Sequence, residues 1–119
     1  MYKRLNMSLK DAVAYRITKP LSQEEIQQIT DELEGTIATA GKIKVLIDLQ
    51  AFPHADVGGL WEDLKFDAEH FKDIERLALV GGSEIQKWSV RIFSGLTVTT
   101  CRCFNEGKVE EAWQWLIES

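Results

Sequence analysis

With 119 residues, 45% of them hydrophobic and 28% charged, the chain has the size and composition of a single globular domain spanning residues 1–119. The formal net charge of −5 argues against nucleic acid as a partner, because duplex binding needs clustered Lys and Arg. It also disfavours general adsorption to anionic lipid, although a local basic patch can still bind such a surface. Short apolar runs and an N-terminus without an apolar segment predict a cytoplasmic protein.

The first half of the chain predicts two strands, a helix and a third strand. The strands are "YKRLNMSL" (2–9), "DAVAYRIT" (11–18) and "KIKVLIDL" (42–49), the last typical of a strand buried on both faces of a parallel sheet. Ser22 begins the helix, with Glu25 in capping-box spacing, and Gly41 ends it. The apolar stripe of this helix consists of Ile26, Ile29, Leu33 and Ile37.

The second half alternates helices and strands. Helices are predicted over 59–72, from Ser83 with Gln86 in capping-box spacing, and over 108–118. Strands are predicted at "ERLALVG" (75–81) and over 98–104. This alternation predicts an α/β fold with a mixed, mostly parallel sheet and about four helices.

Two glycine-containing stretches, "DLQAFPHADVGG" and "VGGSE", follow predicted parallel strands. Ligands bind open α/β sheets at the carboxyl ends of the strands, and both stretches lead into helix N-termini that can hold an anion. Neither has the spacing of a nucleotide-binding loop, so turn glycines and a capping Ser83 are favoured. Candidate ligand-binding residues here and on the following helix are His54, Asp56, Gly58, Gly59, Trp61, Phe66, Gly82 and Ser83.

The order of elements, with "VLIDL", "GLWEDLKFD", "IERLALVG" and "EEAWQWL", resembles the SpoIIAA-like proteins, a branch of the STAS fold, over nearly the whole chain. The resemblance implies a STAS-like sheet. In STAS proteins that act as anti-sigma-factor antagonists, an Asp-Ser-Ser-Gly-Leu motif follows the corresponding strand, and a partner kinase phosphorylates its second serine. Aligning "ADVGGL" places Asp56 on the aspartate and Gly58 on the phosphorylated serine.

The acceptor hydroxyl is missing from that position. No Ser, Thr or Tyr lies between Gln50 and Asp67. The segment is therefore predicted to lack the phosphorylation by which such proteins bind or release a partner. A phosphorylation-regulated anti-sigma-factor antagonist stays an alternative only if this alignment is wrong.

The residues with catalytic or metal-binding chemistry form no complete set. His54 and Asp56 have no nucleophile near them in sequence, and a small enzyme with a site near this pair is kept as an alternative. Cys101 and Cys103 share one face of a predicted strand, where a disulfide between them is strained. We therefore expect no metal, no cofactor and two reduced cysteines in a strand.

The aromatic residues are more informative. In the helix predicted over 59–72, Trp61 lies at the edge of the core-facing stripe and Phe66 lies outside it. In the closing helix Trp113 and Trp115 are about 200° apart, so at least one is on a flank. One interpretation is that these aromatic residues are apolar side chains scattered singly on the surface. The other is that they line a groove for an apolar ligand, another subunit or a lipid interface.

The sequence thus predicts a non-catalytic binding or regulatory module. It is predicted to bind an apolar small molecule, a membrane surface or a protein partner, without regulation by phosphorylation. Peripheral contact with the inner face of the membrane is an open alternative for its localisation. A homodimer is also predicted, because exposed edge strands and flank aromatics are typical of symmetric interfaces.

Overall fold

The computed structural model of the protein describes residues 1–52, 73–82, 86–87 and 99–118. Within them one sheet follows chain order, with strands Tyr2–Leu9 (β1), Ala12–Ile17 (β2), Ile43–Asp48 (β3), Ile74–Val80 (β4) and Thr100–Phe104 (β5). Strand β1 is antiparallel to β2, whereas β2 to β5 run parallel to one another. The predicted mixed, mostly parallel sheet is confirmed.

Two helices flank this sheet in the described part of the chain, Gln23–Ala40 (α1) and Val109–Ile117 (α2). Each lies where the sequence predicts a helix. The helix predicted over 59–72 lies outside the described residues. Of the helix predicted after Ser83, only Gln86 and Lys87 are described, and both are helical.

Helix α1 begins at the predicted capping box. The Ser22 hydroxyl accepts a hydrogen bond from the Glu25 backbone N–H at 3.1 Å, and the Glu25 carboxylate accepts one from the Ser22 N–H at 3.1 Å. That second bond lowers the pKa of Glu25, because it favours the ionised carboxylate. Gly41 ends the helix with a φ of 86°, a left-handed conformation that favours glycine.

The sheet is covered differently on its two sides, because successive side chains of a strand point to opposite faces. In β3, Ile43 and Val45 pack on the side of helix α1, whereas Leu46 packs on the side of helix α2. The α1 side also holds the large residues of β2, Val13, Tyr15 and Ile17. We call these two layers the α1 side and the α2 side.

Small side chains let helix α2 lie close to the sheet. Ala12, Ala14 and Ala78 are fully buried on the α2 side, and Leu46 and Val80 complete the strand surface beneath the helix. Three of the nine residues of helix α2 are buried against that surface: Ala112, Trp113 and Leu116. Trp115 is only half-buried, which confirms that one of the two C-terminal tryptophans lies on a flank.

A strand side chain completes the end of helix α2, whose last turn has no basic residue of its own. The Arg76 guanidinium of β4 donates a hydrogen bond to the Trp115 carbonyl at 2.6 Å and lies 4.9 Å from the centre of the Trp115 ring. Cations near a helix C-terminus are stabilising because the terminal carbonyls carry partial negative charge. Arg76 therefore joins the end of the helix to the sheet.

Candidate functional site

A buried carboxylate lies at the carboxyl edge of the parallel strands. Asp48 is the last residue of β3 and is completely buried. One of its oxygens accepts a hydrogen bond from Arg16 Nε of β2 at 2.8 Å, and the other accepts bonds from the backbone N–H and side-chain amide of Gln50, both at 3.0 Å. Burial of a charge is tolerated when it is paired and hydrogen-bonded, and Asp48 is both.

Gln50 carries this network to the loop before helix α2. Its side-chain oxygen accepts a hydrogen bond from the Gly107 backbone N–H, and Gln86 donates a hydrogen bond to the side chain of Asn105 in the same loop. The segments that leave β3, β4 and β5 are therefore tied together at one edge of the sheet. These hydrogen bonds connect strands that are far apart in sequence.

Gly82 follows β4 at the same edge and is the one predicted site residue among those that the structure describes. A Cβ atom at this position would be 2.7 Å from Oε1 of Glu106, closer than real Cβ contacts. Because Glu106 is exposed and its carboxylate ends a flexible side chain, a small shift of that side chain would relieve the contact, and the packing does not itself require glycine here. The remaining predicted residues lie outside the described part of the chain: His54, Asp56, Gly58, Gly59, Trp61, Phe66 and Ser83.

Sequence reasoning missed the network formed by Arg16, Asp48 and Gln50. The apolar residues of "AVAYRIT" and "KIKVLIDL" predict the two strands, and each stretch also contains a charged residue near its end. Asp and Arg are almost never buried without a partner, so a charge within an apolar strand is itself a signal of pairing. What the sequence does not reveal is that these two strands are neighbours.

The network of Arg16, Asp48 and Gln50 has a structural role. Asp48 is completely buried and its two oxygens accept three hydrogen bonds, so the carboxylate offers no accessible position from which to abstract a proton of a bound molecule. The Arg16 side chain is 42% exposed and keeps its charge at the rim of the sheet. The network joins the ends of β2 and β3. The predicted binding segment follows β3 in the chain.

The apolar layer on the α1 side becomes less buried along helix α1. Near its beginning, Ile26 and Ile29 are buried against the sheet, whereas Leu33 and Ile37 further along are only partly buried. Apolar side chains on the sheet behave likewise, and three that are partly buried on this side are Ile47, Cys101 and Cys103. This side therefore carries apolar surface that the described elements do not fully cover.

Tyrosine hydroxyls of the sheet form hydrogen bonds with helix α1. Tyr15 is buried, and its hydroxyl donates a hydrogen bond to the Glu32 carboxylate at 2.7 Å. Burial, followed by that bond, raises the pKa of Tyr15 well above its usual 10.0. Tyr2 of β1 lies beside it, with ring centres 5.9 Å apart, and donates to Gln28 at 3.2 Å.

Cys101 and Cys103 form no disulfide and are half-buried on the α1 side of strand β5. Burial raises the pKa of the Cys101 thiol to about 11, which keeps it protonated and unreactive at neutral pH. Within the described residues no group of three or more His, Cys, Asp or Glu side chains comes together as a metal site. Nor does that part of the chain contain a helix long and apolar enough to span a membrane.

Comparison with known proteins identifies the fold. The SpoIIAA-like family model matches residues 12–117. The crystal structure of an uncharacterized protein of the DUF3478 family from Shewanella loihica PV-4, described as having a SpoIIAA-like fold, is 27% identical with a TM-score of 0.70, covering 97% of this chain and 93% of that one. No curated protein gives a significant match. The chain belongs to the SpoIIAA-like family.

Proposed function

We propose that the protein is a non-catalytic binding module that holds an apolar small molecule on the α1 side of its sheet, independently of phosphorylation. The observation that carries the proposal is the incomplete burial of the apolar layer along helix α1. Leu33 and Ile37 on the helix and Ile47 on β3 are apolar, lie on the core side and keep part of their surface accessible. Apolar surface of this kind, bordered by a rigid sheet, is what small-molecule sites are mostly built from.

The carboxyl edge of the sheet supports a binding role over a catalytic one. General acid–base catalysis needs a carboxylate or imidazole with a free position toward the substrate. Asp48 is completely buried at this edge, and Arg16 and Gln50 bind its two oxygens. This carboxylate is thus suited to holding the described loops in place rather than to proton transfer.

The sequence after β3 supports independence from phosphorylation. No Ser, Thr or Tyr lies between Gln50 and Asp67, where anti-sigma-factor antagonists of the STAS fold carry their phosphorylated serine. Without this hydroxyl, phosphorylation cannot add charge to the segment, and we infer that occupancy of the site takes the place of that signal. Treatment with a cognate kinase should accordingly leave this segment unmodified, and a phosphopeptide mapped there would overturn this part of the proposal.

Native mass spectrometry of the protein as purified from cells, followed by denaturation and organic extraction, tests the proposal directly. We expect a mass above that of the chain, and an apolar compound in the extract. Leu33→Ser should remove it, because the substitution places a hydroxyl in the apolar layer on the α1 side. Trp61→Ser and Phe66→Ser test the predicted contribution of the segment after β3.

Leu5→Ser is the matched control, because Leu5 is equally a half-buried leucine but lies on the α2 side. The compound should be retained in this variant. A clean mass of the chain alone, with no uptake of anilinonaphthalene sulfonate by the folded protein, would overturn the proposal. In that case a protein partner or a subunit interface becomes the better assignment, and the oligomeric state in the same spectrum separates the two.

A further inference from the structure

Positive charge is concentrated at one edge of the molecule. Residues 1–20 contain five Lys or Arg and a single acidic residue, for a formal net charge of +4, whereas residues 21–119 carry −9. Residues 1–20 comprise β1, β2 and the turns on either side of β2. Because β1 is the first strand in the sheet order, this basic segment forms one lateral edge of the sheet.

Most of these cations have no acidic partner among the described residues. Lys3, Arg4, Lys10 and Lys19 are exposed, and none of them makes an ion pair with a described residue. Arg16 differs, since Asp48 binds it.

Helix α1 brings acidic residues to the same strands. The Glu25 carboxylate lies 3.3 Å from the Met1 ammonium, and the Glu32 carboxylate accepts a hydrogen bond from the Tyr15 hydroxyl. The four exposed cations make the β1 edge more positive than the rest of this acidic molecule.

Apolar side chains accompany these charges. Among the described residues the exposed large hydrophobic side chains are Met1, 59% exposed, and Leu9, 52% exposed, which lie at opposite ends of β1. Leu5 and Met7, between them, are half-buried on the α2 side. The edge thus combines accessible apolar groups with long cationic side chains, which can extend their charges past an apolar surface.

The geometry of β1 argues against another strand as the occupant of this edge. The pairing of β1 with β2 shifts between Arg4 and Ser8, so the residues between them interrupt the regular ladder. Bulges and lysines on an edge strand oppose the addition of a further strand. A second copy of the chain would also bring its own basic edge against this one.

We propose that the β1 edge, formed by Lys3, Arg4, Leu9, Lys10 and Lys19, docks on an anionic lipid surface. Charge complementarity selects negatively charged headgroups, and Leu9 enters the boundary between headgroups and acyl chains. The acidic remainder of the molecule is repelled by the same surface and turns away from it. This surface is separate from the apolar site of the proposed function, so either assignment can fail without the other.

Co-sedimentation with unilamellar vesicles tests the assignment. We expect binding to phosphatidylcholine vesicles that contain about 30% phosphatidylserine, no binding to pure phosphatidylcholine, and release as NaCl rises from about 50 mM to about 500 mM. The double variant Lys10→Glu/Lys19→Glu should lower the partition coefficient by about tenfold or more. Leu9→Ser should lower it by a smaller factor while leaving its salt dependence unchanged.

Arg102→Glu/Lys108→Glu is the matched control, since it reverses two exposed cations at the opposite edge of the sheet. It changes the net charge by the same amount and should keep most of the binding. Equal loss of vesicle binding in both double variants would assign the effect to net charge. It would overturn the assignment of the lipid-binding surface to the β1 edge. Failure of the folded wild-type protein to bind the phosphatidylserine vesicles would overturn the lipid surface itself.

Discussion

Helix α1 is twice as long as helix α2, yet fewer of its residues are buried. Ile26 and Ile29 are the buried residues of the 18 in α1, whereas three of the nine in α2 are buried. Helix α1 has a complete capping box, but no side chain caps the beginning of α2 at Lys108. Helix α1 is therefore specified by local signals and loosely covered, whereas helix α2 depends on the tertiary structure around it.

Matched leucine truncations on the two helices give the largest expected effect. Leu116→Ala should lower the free energy of unfolding by about 3 kcal/mol, because Leu116 is fully buried on the α2 side and its loss leaves a cavity. Leu33→Ala should cost about 1 kcal/mol, because Leu33 is only partly buried. Urea unfolding measures both, and equal costs would refute the idea that α1 is the more loosely packed helix.

The buried network should be the next most sensitive feature. Asp48→Asn should lower the free energy of unfolding by about 2 kcal/mol, because an amide nitrogen facing Arg16 opposes one donor to another. Since Gln50 links Asp48 to the Gly107 N–H, hydrogen exchange at Gly107 should also accelerate.

Asp31→Asn provides the control for this variant. Asp31 is exposed on helix α1 and its carboxylate accepts a hydrogen bond from the Gln27 side chain at 2.8 Å, so the substitution should cost no more than about 0.5 kcal/mol. If Asp48→Asn proved as mild as this control, the carboxyl edge would not be the anchor of helix α2.

Substitutions at the N-caps of the two helices should have smaller effects on stability, and these effects should differ clearly between the helices. Ser22→Ala removes the hydroxyl that accepts the Glu25 N–H and should lower the free energy of unfolding by about 1 kcal/mol. Lys108→Ala, at the same position of helix α2, should change it very little, because Lys108 makes no side-chain cap bond. Similar losses from the two substitutions would contradict the distinction between locally and tertiarily specified helices.

The smallest expected effect is the alkaline dependence of the contact between helix α1 and Tyr15. The pKa of Tyr15 is raised in the folded protein, so its stabilising contribution is complete below the ordinary value of 10.0 and is lost as the pH rises above it. At pH 10.5 the loss should reach about 0.8 kcal/mol relative to neutral pH. Tyr15→Phe should flatten the stability profile in this range.

Tyr2→Phe is the control for that experiment. The Tyr2 hydroxyl also bonds helix α1, at Gln28, but this residue is more exposed than Tyr15. Its substitution should alter the alkaline slope less. An unchanged slope in Tyr15→Phe would mean that this hydroxyl does not control how α1 is held.

Local patterns in the sequence determined most of the architecture. Apolar runs predict the five described strands to within two residues, the Ser22 and Glu25 spacing predicts the beginning of helix α1, and Gly41 predicts its end. These signals are reliable because hydrogen bonding at caps and alternation along strands involve residues close in sequence. The position of Gly82 at the carboxyl edge was also predictable, since it follows an apolar strand.

Which polar groups meet depends on the tertiary structure. Arg16, Asp48 and Gly107 are distant along the chain, and their connection depends on β2 lying beside β3 and on the loop after β5 reaching Gln50. Likewise, Arg76 reaches the end of helix α2 because of the packing of the helix on β4. Strand order and helix placement are set by long-range burial of apolar surface, which no short stretch of sequence encodes.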